Sequence, residues 1–264
     1  MEEQKTGKVI AVVSAKGGVG QTMIATNLAI ALQKKFLSIV LVDGKMQFGD
    51  IAVALDLRSA ITMKEVAEEM ARIDSSTISN YLNEHESGIS VLPAPDRPEF
   101  AELITKEMFL NTVKLLQQHN DFVVVDCGYA FDDSTIELLD VADEILVITT
   151  LDMISLKNTK QLLDTFNMLG YTGKVRLVLN RHNMESLIKA EDVPAMMGTE
   201  EVFYIANNFK VVSQSLNIGI PIVSRRGSSD VAKDLFKLAE TIISKSPEHQ
   251  PQQSIKRRWF PSLK

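Results

Sequence analysis

Seven short runs of apolar, mostly β-branched residues recur along the chain: KVIAVVS at 8–14, SIVLVD at 38–43, GISVLP at 88–93, DFVVVD at 121–126, EILVIT at 144–149, KVRLVLN at 174–180 and EVFYI at 201–205. Their hydrophobicity is continuous, not alternating, so both faces of each strand are expected to be buried, as in a parallel sheet covered by helices. Between them, residues 22–34, 106–118, 133–140, 155–168 and 228–245 carry apolar side chains at three and four spacing, the pattern of amphipathic helices. The alternation predicts an α/β fold, a doubly wound, mostly parallel sheet with helices on both faces. The tail beyond Ser246 opens with PEHQPQQS, polar and proline-bearing. It predicts one domain over 1–246, then a flexible linker and a basic aromatic tail over 247–264.

The first strand runs into AKGGVG and then into QTMIATNLAIALQKK, a strand, a glycine-rich loop and a helix. This is the context a phosphate loop requires. Gly17, Gly18 and Gly20 permit positive φ and close approach, so Gly17, Gly18, Val19, Gly20, Gln21, Thr22 and Met23 can turn backbone N–H groups toward phosphate oxygens. The helix N-terminus adds partial positive charge, and the Thr22 hydroxyl is placed to ligate Mg²⁺.

The loop resembles that of the MinD/ParA group of P-loop ATPases, x-K-G-G-x-G-K-[ST], with Lys16 at the early signature position. The resemblance implies ATP and Mg²⁺ as cofactors. It also implies a homodimer with nucleotide at its interface, in which Lys16 reaches the partner's phosphates. The stretch VDGKMQFGDIAVALDL at 42–57 is similar to that of the CpaE/TadZ pilus-assembly (Flp/Tad) subfamily, as is the region beyond the fourth strand run, YAFDDSTIELLDVADEILVITTLDMISLKNTKQLL at 129–163. By the same resemblance Asp43 lies near the metal, Asp126 of FVVVDCG is the Walker B aspartate, and Asn180 with Arg181 lies beside adenine. Asn207 falls in the expected adenine-side loop.

The departures matter as much as the matches. Gln21 stands where the family has the lysine that contacts the β and γ phosphates. A neutral hydrogen bond in place of a charge-assisted one costs about 1–2 kcal/mol of binding, with further loss at the transition state. The family's D-x-D reads Asp43-Gly44-Lys45 here, so the water-positioning aspartate has become a lysine. Two readings of Lys45 stand: inward, holding the site attractive to anions, or solvated in the loop. Gly128 comes one residue earlier than in the family's D-x-x-G sensor, with Tyr129 at the glycine's place. Cys127, the chain's single cysteine, reads as buried filler, and one cysteine excludes both an intramolecular disulfide and the iron–sulfur reductase relatives. Asp132 and Asp133 precede STIE, where Ser134 and Glu137 suggest a helix start.

The net charge of −6 argues against general nucleic-acid binding and hence against DNA partitioning. The four histidines have no ligand-like spacing, and MEEQKTGK has no signal-peptide core. The tail IKRRWFPSLK places Lys256, Arg257, Arg258, Trp259 and Phe260 together. It reads either as a disordered soluble end or as a segment that lies on an anionic membrane surface. The expectation is a cytoplasmic protein, or a peripheral one at the inner face of the cell membrane or a pole. It would bind ATP, dimerise and help localise a type IV (Flp/Tad) pilus machine with weak or absent hydrolysis. The rivals are a MinD/FlhG-like membrane-cycling ATPase and an interaction domain that has lost nucleotide.

Overall fold

The computed structural model describes residues 6–33, 37–58, 61–128, 133–224 and 229–245. In chain order the elements are β1 (Lys8–Ser14), α1 (Gln21–Leu32), β2 (Ile39–Asp43), α2 (Ile51–Ala54), α3 (Met63–Glu69), β3 (Asn83–Glu84), β4 (Ser90–Leu92), α4 (Lys106–Gln117), β5 (Phe122–Asp126) and α5 (Asp133–Val141). There follow β6 (Glu144–Thr149), α6 (Met153–Met168), β7 (Val175–Asn180), α7 (Val193–Met197), β8 (Val202–Ile205), α8 (Phe209–Ile218) and α9 (Asp230–Ser244), with short 3₁₀ turns between several of them.

The strands form one eight-stranded sheet in the order β3-β4-β2-β5-β1-β6-β7-β8. Every pairing is parallel except β3 with β4. All seven predicted strands are present, and the continuous apolar runs have the cause inferred for them. Along β1, Ile10 and Val12 enter one core while Val9, Ala11 and Val13 enter the other. The first core is closed by α1 and α9, which pack on each other, and the second by α4, α5 and α6. A strand with a hydrophobic layer on both sides cannot afford a polar alternate, and this selects the run of valines and isoleucines.

Helix α1 is buried along its whole length except at Thr22. That single break in an otherwise buried helix points its hydroxyl at the C-terminal edge of the sheet, where ligands bind in open α/β folds. Four helices escaped the sequence reading: the short α2 and α7, and the longer α3 and α8. Helix α3 carries a complete capping box, with Thr62 accepting from the Lys64 N–H and Glu65 accepting from the Thr62 N–H. Helix α8 is capped by Asn208 and ends at Gly219 with φ of 65°. Helix α5 starts at Asp133, so Ser134 lies inside its first turn, and Glu137 pairs with Lys106 at 2.7 Å instead of capping. Tyr129, Asp132 and the 247–264 tail, with Lys256, Arg257, Arg258, Trp259 and Phe260, lie outside the described residues.

Candidate functional site

Between β1 and α1 the chain turns through the glycine-rich loop with Gly18 at φ 78° and Gly20 at φ 93°. Gly20 is the N-cap of α1, makes no side-chain cap bond, and is followed by no acidic residue in the first turn. The free first-turn N–H groups and the helix dipole therefore face outward, a ready anion seat. The loop is pinned from behind by Asn180 at the end of β7. Its Nδ2 donates to the Val19 carbonyl at 2.8 Å, while its Oδ1 accepts from the Arg181 N–H at 2.9 Å. A Cβ on Gly20 would stand 2.4 Å from that Nδ2, so the position requires glycine for space as well as for φ. Asn180 is only 1% exposed. Its amide is turned into the phosphate loop.

Asp43 and Asp126 end β2 and β5 as register partners on adjacent parallel strands, and both are fully buried. The Asp43 oxygens accept the N–H groups of Lys45 at 3.0 Å and Ile51 at 3.1 Å. Burial, and next the neighbouring Asp126 charge, push the Asp43 carboxyl up to about 7, against the pull of those donors and of the Lys45 charge. Asp126 accepts from Gln21 Nε2 on Oδ1 and from the Thr22 hydroxyl on Oδ2, each at 2.6 Å.

Gln21 is 6% exposed. Besides Asp126, its Nε2 donates to the Val12 carbonyl at 2.9 Å, and its Oε1 accepts from the Ser14 hydroxyl at 2.7 Å. The amide ties β1, α1 and β5 together beneath the loop. A lysine could not accept the Ser14 proton, whereas glutamine donates and accepts in one group.

Lys45 points inward. Its stem passes Gly128, whose φ is 73° and whose added Cβ would lie 3.2 Å from the lysine Cγ. Its ammonium meets the Thr22 hydroxyl oxygen, Asp126 Oδ2 at 3.2 Å and Asp50 Oδ2 at 3.0 Å. Burial opposes its charge, but Asp126 first and then Asp50 hold its pKa above the ordinary lysine value. The three residues expected around Mg²⁺, Thr22, Asp43 and Asp126, are thus already engaged. Two surround an ammonium, and Asp43 is bound to backbone N–H groups. A divalent ion needs oxygen donors at about 2.1 Å and cannot share Thr22 and Asp126 with an ammonium already against them. As arranged, these residues do not fit the metal.

Lys16 lies on the outer side of the loop, half exposed, with Nζ 3.0 Å from Asp152 Oδ1. Asp152 caps α6 by accepting from the Ser155 N–H at 2.9 Å and accepts the Thr150 hydroxyl at 2.7 Å. Burial raises its carboxyl, but the bonds from Ser155, Thr150 and Lys16 outweigh this and hold it well below the usual carboxylate range. Gly17, Gly18, Gly20, Gln21, Thr22, Met23, Lys45 and Arg181 border a cavity of about 1340 Å³. Arg181 is held at φ 55°. Asn207 is not among the cavity's lining residues, and its N–H donates to Asn183 Oδ1 at 2.6 Å. The sequence reading missed Ser14, Asp50 and Asp152. Only Asp152 carried a signal, as an N-cap aspartate three residues before Ser155.

The family model described as "AAA domain" matches residues 7–179, most of the chain. Among characterised relatives, the septum site-determining protein MinD of Thermotoga maritima is 26% identical over 249 residues, covering 89% of this chain and 88% of that protein. Among solved structures, a ParA family ATPase from Chlorobium tepidum superposes with a TM-score of 0.82 at 24% identity, covering 89% of this chain and 98% of that one. MinD of Pyrococcus horikoshii, solved with Mg-ADP, superposes at 0.77 with 21% identity over 89% of this chain and 96% of its own. With the phosphate loop, the Walker B strand and this fold in one chain, the protein belongs to the AAA-domain family, as a P-loop ATPase of the MinD/ParA superfamily.

Proposed function

We propose that the protein binds adenine nucleotide at the Gly17–Thr22 loop, dimerises across it, and acts as a positional scaffold that turns ATP over slowly if at all. The observation that carries this is the pair Gln21 and Lys45. The amide that stands for the family's phosphate lysine is spent on Ser14, Val12 and Asp126 inside the protein. The residue that stands for the water-positioning aspartate is a cation facing inward. Both buried carboxylates at the sheet edge are engaged by protein donors, which leaves neither free to orient water. The open first turn of α1 still supports anion binding.

Dimerisation is supported by Lys16 on the outer side of the loop and by apolar side chains beside the cavity, Phe48 at 76% and Val53 at 73% exposure. A second copy would cover them and bring its own Lys16 to the phosphates. The likeness of 42–57 to the Flp/Tad pilus-assembly subfamily supports a pilus machine as the thing positioned. The match to MinD over 89% of this chain supports the broader reading of a spatial regulator. Asn180, Arg181 and Asn207 are proposed on the adenine side, with Asn180 acting through the loop it pins.

The test is light scattering of the full chain with and without ATP, with phosphate release from the same samples. The expected result is a nucleotide-driven dimer, lost in Lys16→Ala, with little phosphate. A chain that stays monomeric with bound ATP would overturn the dimer reading, and steady turnover would overturn the slow-turnover reading.

A further inference from the structure

The contacts of Lys45 extend the nucleotide reading and rest on it. On its protein side the ammonium meets the hydroxyl of Thr22 and a carboxylate oxygen of Asp126, the pair that a nucleotide's divalent ion would be expected to bridge. On its outer side it meets Asp50, whose side chain is 64% exposed, whereas the lysine's is 19% exposed. The inner two partners are fixed: Asp126 is fully buried and receives Gln21 and Thr22 as well. The outer partner is not, since an exposed carboxylate on an ion pair contributes little and exchanges readily. Lys45 therefore has the coordination pattern of a bound cation, with two fixed protein oxygens behind it and one exchangeable anion in front. Gly128, which leaves room for the stem, and Asp43, which accepts the Lys45 N–H, hold the residue in this position.

We propose that the Lys45 ammonium is the resident cation of this site and that the protein takes its nucleotide without magnesium. A phosphate oxygen replaces Asp50 on the ammonium, one anion for another, and the bound species is the metal-free nucleotide diphosphate or triphosphate. Free Mg²⁺ then competes for the phosphates instead of bridging them to the protein.

The experiment is calorimetric titration of ADP into the full chain, once with excess EDTA and once with excess Mg²⁺. It is paired with equilibrium dialysis against ADP and Mn²⁺, both assayed on each side. The proposal expects ADP to bind at least as tightly in EDTA as in Mg²⁺, and nucleotide to accumulate with the protein without an equivalent of Mn²⁺. In Lys45→Asp the order should reverse, with binding about tenfold or more tighter in Mg²⁺ and one Mn²⁺ retained per ADP. Wild-type binding about tenfold tighter with Mg²⁺, or one Mn²⁺ retained per ADP, overturns the cation assignment while leaving the nucleotide reading intact. Absence of ADP binding under both conditions overturns the nucleotide reading itself, and the assignment falls with it.

Discussion

Restoring a lysine at position 21 should harm this protein unless position 45 changes with it. Gln21 Nε2 and Lys45 Nζ lie on the two oxygens of one carboxylate, at 2.6 and 3.2 Å from Asp126. An ammonium at position 21 would therefore stand about 5 to 8 Å from that of Lys45, a repulsion of about 2 to 3 kcal/mol at the effective dielectric of a partly buried pair. The Ser14 hydroxyl would lose Gln21 Oε1 but keep the Lys16 carbonyl as acceptor at 3.0 Å, so the charge repulsion is the main cost. The reverse single change, Lys45→Asp, adds a carboxylate near Asp43 and Asp126 and removes the cation paired with Asp126 and Asp50. Together the changes exchange the charges instead of adding them. In urea unfolding, Gln21→Lys should lose about 3 kcal/mol and Lys45→Asp a similar amount, while the double variant should lose clearly less than their sum. A coupling of about 2 kcal/mol or more is expected, and it should be accompanied by faster ATP hydrolysis than in wild type. Single effects that add within about 0.5 kcal/mol would show that the two positions do not share a carboxylate. Hydrolysis unchanged in a double variant that binds ATP would reject them as the cause of slow turnover.

Three further outcomes follow from the geometry. Gly20→Ala places a Cβ against Asn180 Nδ2 at a φ of 93°, so it should cost about 2 kcal/mol or more of stability and weaken ATP binding, read by thermal unfolding and calorimetry. Asp152→Ala removes the α6 cap and frees Lys16, for a loss of about 1 kcal/mol measured in urea, without loss of ADP affinity in the monomer. Because the Asp152 carboxyl is held well below its ordinary value, its contribution is present above the usual aspartate range and disappears as pH falls below it. The gap in urea midpoint between wild type and Asp152→Asn should therefore stay constant from pH 7 to about pH 5 and narrow only as pH falls below about 4, and a gap unchanged down to about pH 2 would contradict this.

The fold was largely legible because its strands are buried on both faces, which writes them as unbroken apolar runs. Helices α3 and α8 were missed although the sequence carries their signals, a capping box of Thr62 and Glu65 for α3 and the bounds Asn208 and Gly219 for α8. Strand β3 was not, being two residues that pair at an edge and carry no period. At the site, the loop, Asp43 and Asp126 could be found from sequence because they follow strands at fixed offsets. The orientation of Lys45 could not, since it depends on Gly128, 83 positions away, leaving a path for its stem, and on Asp126 drawing its ammonium inward. The role of Asn180 in pinning Val19 likewise depends on β7 ending opposite the loop, a fact of topology.

Everything turns on whether the loop with Gln21 still holds nucleotide. Calorimetric titration of ATP into the full chain should show saturable binding of one nucleotide per protomer, with phosphate release from the same sample far slower than one turnover per second. Absence of binding up to millimolar ATP would contradict the nucleotide site itself, and steady turnover at an ordinary enzyme's rate would contradict the roles given to Gln21 and Lys45.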